Sequence, residues 1–346
     1  MRKSFDCNMN ELVGGLVAAV LALGCGAEGP APAPANQQNQ SSVDANVPQV
    51  RDWLPPGYVR TPNGQFHESC VHEVPEGGEV DETGAIWLNG KVVSAPPPCA
   101  FEVLHLNREN VVGNTYGEVA RQSSALLIDG WTRYVQAYAN NMGVFPVRFN
   151  GLEATMTVPT APSQALFQTI FLFPSLTPAD GMAILQPVLR YGDGIQKWMV
   201  AGWYVDRSDN SYHSQWVQVN PGENIVGWVR DVRNSCVGTN CSWDVKLARG
   251  NTTLTSLRTT SSEAYARAQK AVLEVYDVTK CAYLPASGFA NFTNTKVYEP
   301  YDPSNVDARI EVTNSLVWKK VTVDSSCGID VQFPNPQTSK IVWNPN

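Results

Sequence analysis

The feature that most constrains the fold is a series of short segments, each typical of a β-strand, along residues 147–346. They are apolar or alternating, and a Gly250-Asn251 turn joins two of them as in a hairpin. No βαβ alternation, phosphate-binding glycine loop or internal repeat accompanies them, so the pattern predicts a two-sheet antiparallel β-sandwich. The predicted strands are Gly151–Val158, Thr169–Phe173, Met182–Tyr191, Lys197–Asp206, His213–Val219, Asn224–Val232, Trp243–Ala248, Thr252–Arg258, Ala271–Val278, Ala308–Val312, Leu316–Val323 and Ile329–Gln332.

Composition narrows the class of protein. Only 16% of the 346 residues are charged, and Trp and Tyr are abundant, which is typical of exported all-β proteins. The net charge is −7 with no basic patch, so nucleic acid is not an expected partner.

The first 25 residues have the pattern of an export signal. Arg2 and Lys3 precede an apolar run, Leu12–Leu23, that is too short for a lasting membrane span. The run ends in Ala-Leu-Gly-Cys, which is similar to a bacterial lipobox, so we expect lipidation at Cys25, with plain cleavage as the alternative. Residues 26–50 then predict a flexible tether, and the protein is expected to be a cell-surface or outer-membrane lipoprotein, or secreted.

Eight cysteines agree with an oxidising compartment. Cys7 and Cys25 belong to the signal, and the other six allow fifteen pairings. Proximity in sequence favours Cys236–Cys241 and Cys70–Cys99, which leaves Cys281–Cys327 as the third of three predicted disulfides.

The segment FHESCVHE is the strongest candidate for a metal site. It contains His67 and His72, each followed by a Glu, but the spacing H-E-x-x-H is absent. Loop polarity explains the cluster better, so we predict neither a metal nor an organic cofactor.

The chain divides by composition into four parts. After the signal and the tether, residues 51–105 are turn-rich and predict a small disulfide-stapled β module. Residues 106–346 form the predicted sandwich. Within it, the periodicity of Ser123–Ala137 is compatible with either a strand or a short helix.

One predicted strand, Ala271–Val278, carries a carboxylate in an apolar setting. Alternation places Val272, Glu274, Tyr276 and Val278 on one face and Asp277 on the other. Both faces are largely apolar, which favours a central strand. Burial is expected to raise the pKa of Glu274, so this residue is either a neutralised core side chain or a catalytic acid or base.

A second polar residue has the same setting. Gln186 shares a strand face with Ile184 and Val188 and needs hydrogen-bond partners if it is buried. We expect Gln186 and Glu274 to lie on neighbouring strands and to meet. A carboxyl group that moves protons and an amide that holds a polarised oxygen are sufficient for hydrolysis.

The order of several motifs resembles that of the glutamic peptidases, or eqolisins. These motifs are ATMTVPTAP at Ala154–Pro162, AILQ at Ala183–Gln186, Trp203-Tyr204, VQVNPGENI at Val217–Ile225, AVLEVYDV at Ala271–Val278 and LPASGFANFTN at Leu284–Asn294. The resemblance covers roughly residues 145–346. It implies a concanavalin-like jelly roll and an acid endopeptidase that acts on polypeptides without a cofactor.

The resemblance also assigns roles. Glu274 takes the place of the catalytic Glu and Gln186 that of the catalytic Gln, and Trp203, Tyr204 and Tyr276 would line the substrate cleft. Arg190, Ala201 and Val205 stand where the family usually has acidic neighbours, and Phe171 or Phe173 replaces its Trp. These departures put specificity or activity in question. Residues before Val147 could cover the cleft as a propeptide.

Two other functions are compatible with the sequence. A non-catalytic surface module could bind a glycan or a protein on a concave aromatic face built from Trp198, Trp203, Trp216, Trp228 and Trp243. Glycoside hydrolysis is less favoured, because Glu274 and Asp277 are predicted on opposite faces. Gln186 and Glu274 side by side and open to a groove would favour the peptidase, whereas the peptidase hypothesis fails if they lie apart or are sealed in the core. We expect a monomer.

Overall fold

A computed structural model describes residues 54–104, 126–140, 147–237, 240–302 and 305–346, with the backbone alone at 301–302 and 305–308. The described residues belong to one compact unit. The described residues form 22 strands and three short 3₁₀ turns, which confirms the all-β sandwich class. No helix among them is long and apolar enough to cross a membrane. The predicted signal, the tether and Cys25 lie outside the described residues.

Nine of the described strands form the front sheet. Its order is β20-β7-β17-β9-β10-β11-β12-β3, with β13 also paired to β11. The strand that carries Glu274, β17, is central and pairs with β7 and β9, as its two apolar faces predicted. The bounds are β3 Val71–Glu73, β7 Ile128–Tyr138, β9 Thr169–Thr177, β10 Ile184–Gly192, β11 Ile195–Val205, β12 Ser211–His213, β13 Val217–Val219, β17 Arg267–Val278 and β20 Lys319–Thr322.

The other sheet, at the back, contains eleven of the strands that the structure describes. Its order is β21-β22-β18-β8-β14-β15-β16-β4-β5-β6, with β19 paired to β18. The bounds are β4 Glu79–Val80, β5 Ile86–Leu88, β6 Lys91–Ser94, β8 Gly151–Thr157, β14 Asn224–Asp231, β15 Cys241–Arg249, β16 Thr252–Ser261, β18 Phe289–Asp302, β19 Asn305–Glu311, β21 Asp330–Asn335 and β22 Thr338–Val342.

The core lies between the two sheets, because its apolar clusters combine residues of both. Leu273 of the front sheet belongs to the same cluster as Phe292 of the back sheet, and both are fully buried. Trp243 and Tyr204 belong to a second such cluster. A third cluster combines front-sheet residues with Phe66 and Val103, so it covers the outer face of the front sheet.

The N-terminal module is joined to the sandwich rather than tethered to it. Strand β3 pairs in parallel with β12 of the front sheet, and β4 pairs in parallel with β16 of the back sheet. Its first two strands, β1 Tyr58–Thr61 and β2 Gly64–His67, form a separate hairpin.

Several strand predictions are corrected. Ser123–Ala137, which periodicity left open, contains most of β7. His213–Val219 is two strands because residues 214–216 leave the ladder. The long strand β18 and the short strand β22 were not predicted, since polar residues interrupt their apolar pattern.

Strand β17 also departs from simple alternation. Asp277 has a φ of 57°, and the register with β7 shifts between Val275 and Val278. The extra residue turns Val278 into the core with Leu273, so the prediction that it shares the face of Glu274 is wrong. It also lets Asp277 form an ion pair with Arg60 of the hairpin, so its predicted placement on the opposite face is wrong too.

Three disulfides are present in the described residues: Cys70–Cys99, Cys236–Cys241 and Cys281–Cys327. The first two are the pairs that proximity in sequence favoured, and the third is the pair that remained. We expect alkylation of the mature, unreduced protein, followed by mass measurement, to label none of these six cysteines. Labelling of two or more would contradict the three-disulfide assignment.

Candidate active site

The outer face of the front sheet carries the polar residues that the sequence singled out. Its apolar cluster includes Phe171 and Phe173 on β9, Ile184 and Val188 on β10, and Tyr276 on β17. Every second residue of a strand points to the same face, so Gln186 lies on the face of Ile184 and Val188, and Glu274 on the face of Tyr276.

Glu274 lies on β17 opposite Phe171 and is 1% exposed. Its Oε1 accepts a hydrogen bond of 2.5 Å from Tyr276 Oη, and Tyr276 is itself fully buried. The predicted burial of this carboxyl group is therefore present, together with a partner two residues along the same strand face.

Gln186 lies on β10 opposite Trp203 of β11 and is fully buried. Its Nε2 donates a 2.9 Å hydrogen bond to the backbone carbonyl oxygen of Pro62. Within the described residues, Gln186 Oε1 and Trp203 Nε1 have no hydrogen-bond partner. The amide nitrogen of Gln186 thus binds a peptide carbonyl, while its oxygen, an acceptor, and the indole N–H of Trp203, a donor, have no partner among the described residues.

Gln186 and Glu274 share this face but do not lie on neighbouring strands, so that expectation is wrong. Strand β9 separates β10 from β17. Glu274 pairs with Phe171, which pairs with Arg190, and Gln186 is four residues before Arg190. The backbone offset along the strands is thus roughly 13 Å at 3.3 Å per residue. Phe173, which pairs with Val272, lies between the two levels.

The β1–β2 hairpin lies on the outer face and seals it. Phe66 is fully buried in the cluster with Tyr276. Arg60 forms an ion pair with Asp277 on β17, while Pro62 contacts Gln186 on β10. Residues 60–62 therefore pass from the strand of Glu274 to the strand of Gln186.

A pair of carboxylates anchors the hairpin, and sequence reasoning missed it. Asp129 Oδ1 accepts a 2.9 Å hydrogen bond from the backbone N–H of Asp277. The pKa of Asp129 is raised to about 7, mainly by burial and also by the nearby charge of Asp277, against the opposing effects of this hydrogen bond and of Arg60. The left-handed turn at Asp277 brings the two acids together, and alternation alone does not predict such a bulge.

Arg190 extends the polar part of the face toward solvent. Its guanidinium lies 4.0 Å from the ring centroid of Trp216 and donates a 2.8 Å hydrogen bond to Asp193. Burial lowers the pKa of Arg190, against the opposing charge of Asp193. Burial also lowers the pKa of His213, whose ring stacks on Trp203 at 4.7 Å. Ala201 and Val205 lie in the same outer cluster.

The remaining aromatic predictions divide between the two faces. Trp203 and Tyr276 lie on the outer face, as predicted for cleft residues. Tyr204 follows Trp203 on the strand and therefore points into the core, so its assignment to the cleft is wrong. Trp198 and Trp243 are also buried in the core, so the five tryptophans do not form one binding face.

The histidines near the hairpin have ordinary contacts. His67 stacks on Phe101 with centroids 3.5 Å apart, and His72 Nε2 lies 3.3 Å from Asn210 Oδ1. In the part of the chain that the structure describes, no group of three or more His, Cys, Asp or Glu side chains could hold a metal ion.

Asp129 predicts a specific pH dependence of stability. Because its pKa is raised in the folded protein, its contribution to stability is complete below about pH 4 and is lost as pH rises toward 7. Asp129→Asn keeps an acceptor for the Asp277 N–H and cannot ionise. We expect its free energy of unfolding to exceed the wild-type value by about 1 kcal/mol or more above pH 7 and to match it near pH 4. Urea denaturation at both pH values measures this, and an equal difference at both would contradict it.

Comparisons with known proteins give structural likenesses only. No family model matches the chain, and no curated protein matches it. Among solved structures, scytalido-glutamic peptidase with a peptide-based transition state analog is 15% identical, with a TM-score of 0.39. SCP-B, an eqolisin peptidase bound to the tripeptide Ala-Ile-His, is 16% identical, with a TM-score of 0.38. Each alignment covers 63% of this chain and 100% of the other.

A third similar structure is the tailspike protein 2 enzymatically active domain of bacteriophage CBA120. It is 10% identical with a TM-score of 0.24, and the alignment covers 59% of this chain and 35% of that one. With TM-scores below 0.5, the function has to be argued from the residues of this chain.

Proposed function

We propose that this protein is an exported acid endopeptidase in a self-covered form, with Glu274 and Gln186 as its catalytic residues. The observation that supports the proposal most is the 2.9 Å hydrogen bond from Gln186 Nε2 to a peptide carbonyl, that of Pro62. This is the contact that an amide would make with the carbonyl oxygen of a polypeptide substrate. The face already accommodates a polypeptide, supplied by the chain itself.

The unsatisfied polar atoms support a ligand at the same place. Gln186 Oε1 and Trp203 Nε1 are buried on directly opposite residues, and neither has a partner within the described residues. An unpaired buried polar group costs about 1–3 kcal/mol, so a polar ligand that satisfied both would be stabilised there. A substrate peptide group, or the water that attacks it, has the required donors and acceptors.

In the proposed reaction Glu274 acts first as a base. Its carboxylate takes a proton from a water molecule, whose oxygen attacks the substrate carbonyl carbon. Gln186 donates from Nε2 to the oxyanion that develops on the carbonyl oxygen. The protonated Glu274 then gives its proton to the amide nitrogen, the C–N bond breaks as the oxyanion returns to a carbonyl, and the amine and the new carboxylic acid leave with the Glu274 carboxylate restored.

The hairpin has to leave the face before a substrate can enter. Disulfide Cys70–Cys99 and the pairing of β3 with β12 hold the rest of the module. The displacement therefore concerns Tyr58–His67 rather than the whole segment before Val147. In this proposal the hairpin does what a propeptide does while remaining part of the folded protein.

A non-catalytic polypeptide-binding surface is the second candidate, and one observation favours it. Phe173 and its paired residue Val272 lie between Gln186 and Glu274 along the strand direction. Gln186 and Glu274 are both buried. A separated and sealed pair is the arrangement in which the peptidase hypothesis fails, so the covered form itself does not meet the criterion for catalysis. Catalysis therefore requires that displacement of the hairpin also lets the two side chains converge.

Digestion of a denatured protein substrate between about pH 2 and pH 7 separates the two candidates. The peptidase predicts cleavage that is confined to acid. No cleavage at any pH, together with retention of the intact substrate on the immobilised protein, would establish the binding surface instead.

We also propose that the protein is anchored to a membrane by lipidation at Cys25. Intact-mass measurement of the mature N-terminus tests this, and an N-terminus without an acyl mass would contradict it.

Tyr276 gives the proposal a pH signature. A hydrogen bond to an ionised carboxylate favours the ionised form, so the Tyr276 hydroxyl keeps Glu274 available as a base at lower pH. We expect Tyr276→Phe to move the acid limb of the kcat/KM profile upward by about one pH unit or more, as a charge-assisted hydrogen bond implies. Tyr283→Phe is the matched control, since Tyr283 lies in the core. An unchanged acid limb in Tyr276→Phe would rule out this role.

A further inference from the structure

The disulfide Cys236–Cys241 lies against a buried guanidinium outside the candidate active site. Arg148 is 3% exposed; its Nη1 is 3.1 Å from Cys241 Sγ, and its Nη2 is 3.8 Å from Cys236 Sγ. Burial lowers the pKa of Arg148, and the Asp231 carboxylate opposes this shift. One arginine thus donates to both sulfurs of one disulfide.

This contact favours the reduced form of the disulfide. A disulfide sulfur is a weak, uncharged acceptor, whereas a thiolate is an anion that a neighbouring arginine stabilises strongly. Asp231 also pairs with Arg309, and its Oδ2 lies 4.0 Å from Cys236 Sγ. The carboxylate therefore disfavours a thiolate on Cys236, whereas Arg148 Nη1 favours a thiolate on Cys241.

The two sulfurs differ in access. Cys241 is fully buried, whereas Cys236 is partly exposed and precedes Val237, which is 83% exposed. An incoming thiolate therefore reaches Cys236, and Cys241 becomes the leaving group next to Arg148 Nη1.

We propose that Cys236–Cys241 is a thiol–disulfide exchange site that accepts electrons from a dithiol. The dithiol's thiolate attacks Cys236 Sγ, a mixed disulfide forms, and the electron pair of the broken S–S bond passes to Cys241 as a thiolate. The second thiol of the reductant, once deprotonated, attacks the mixed disulfide and releases Cys236. The dithiol is oxidised to a disulfide, and the protein gains two thiols.

The other two disulfides provide comparisons within the same chain. Cys99 Sγ lies 3.3 Å from the carbonyl oxygen of Phe101, an electron-rich neighbour that disfavours a thiolate. Its partner Cys70 is 2% exposed. Cys281–Cys327 links two 3₁₀ turns, Cys281–Tyr283 and Ser326–Gly328, and its cysteines are 46 residues apart in sequence.

A redox titration of the full chain with dithiothreitol tests the proposal. Samples equilibrated at graded ratios of dithiothreitol to its oxidised form are quenched in acid, alkylated and mapped by mass spectrometry. We expect Cys236–Cys241 to be reduced at ratios at least about tenfold lower than the other two disulfides require. Reduction of either other disulfide first, or of all three together, would overturn the proposal.

Variants assign the effect to Arg148. Arg148→Met is expected to shift the reduction equilibrium of Cys236–Cys241 about tenfold or more toward the disulfide, whereas Arg148→Lys keeps the charge and part of the effect. Arg258→Met, on the exposed side of β16, is the control and should leave the equilibrium unchanged. If Arg148→Met fails to fold, the proposal is tested by trapping the mixed disulfide in variants that keep only one of the two cysteines. Cys241→Ser should then form a mixed disulfide through Cys236 faster than Cys236→Ser does through Cys241, and the reverse order would contradict the proposed path.

Discussion

Replacing Glu274 with Gln is expected to lower acid proteolysis by several orders of magnitude. The amide has the same shape and still offers an oxygen to the Tyr276 hydroxyl, but it cannot take a proton from water or return one to the leaving amine. Gln186→Ala removes only a donor to the oxyanion, so its expected loss is smaller, about 10²–10³ in kcat. Since Glu274 is buried, its working pKa is expected above the usual value of about 4.3. The wild-type rate should then follow a bell-shaped curve centred in the acidic range.

The measurement is digestion of a denatured protein substrate from about pH 2 to pH 7 by the wild type and both variants. Glu299→Gln is the matched control, because Glu299 is also a buried glutamate but lies on β18 of the back sheet. It should retain wild-type activity. Proteolysis that survives in Glu274→Gln would show that another group is the catalyst, while circular dichroism establishes that each variant is folded.

Much of the fold follows from local chemistry. Alternation along Gly151–Thr157 and the Gly250-Asn251 turn sufficed to predict strands β8, β15 and β16, because one face of each packs against the core. The same alternation placed Gln186 with Ile184 and Val188, and Glu274 with Val272 and Tyr276. A polar residue on an otherwise apolar strand face is a signal that needs no knowledge of the tertiary structure.

The order of the strands was not available from such local patterns. Gln186 and Glu274 have the same kind of setting, yet β9 lies between their strands, and its Phe173 separates their levels. Pairing between distant segments depends on the whole topology. The bulge at Asp277 is likewise a tertiary feature, stabilised by Arg60 from a hairpin more than 200 residues earlier. Strand alternation alone therefore assigned both Val278 and Asp277 to the wrong face of the sheet.

The hairpin that covers the outer face leads to the second large effect that we expect. Phe66 is fully buried against the face, and truncating a buried Phe to Ala typically costs about 3–5 kcal/mol. At 1.36 kcal/mol for each factor of ten, Phe66→Ala should raise the population of the uncovered form about a hundredfold or more. Under the peptidase proposal the rate on a short peptide rises with that population until the uncovered form dominates. If the protein is a binding surface rather than a peptidase, its affinity for a polypeptide should rise with that population, and no cleavage should appear.

Hydrogen exchange of the Tyr58–His67 amides measures uncovering without reference to activity, so it tests the hairpin separately from the chemistry. Val93→Ala is the matched control, since Val93 lies on β6 of the same module and is 53% exposed. Arg60→Met, which removes the ion pair with Asp277, should act in the same direction as Phe66→Ala if the hairpin opens as a unit. Faster exchange with no gain in either cleavage or binding would mean that the outer face is only a core surface. Unchanged exchange in both variants would mean that the hairpin is not a removable cover, and Glu274 would then be the neutralised core residue that its burial alone predicts.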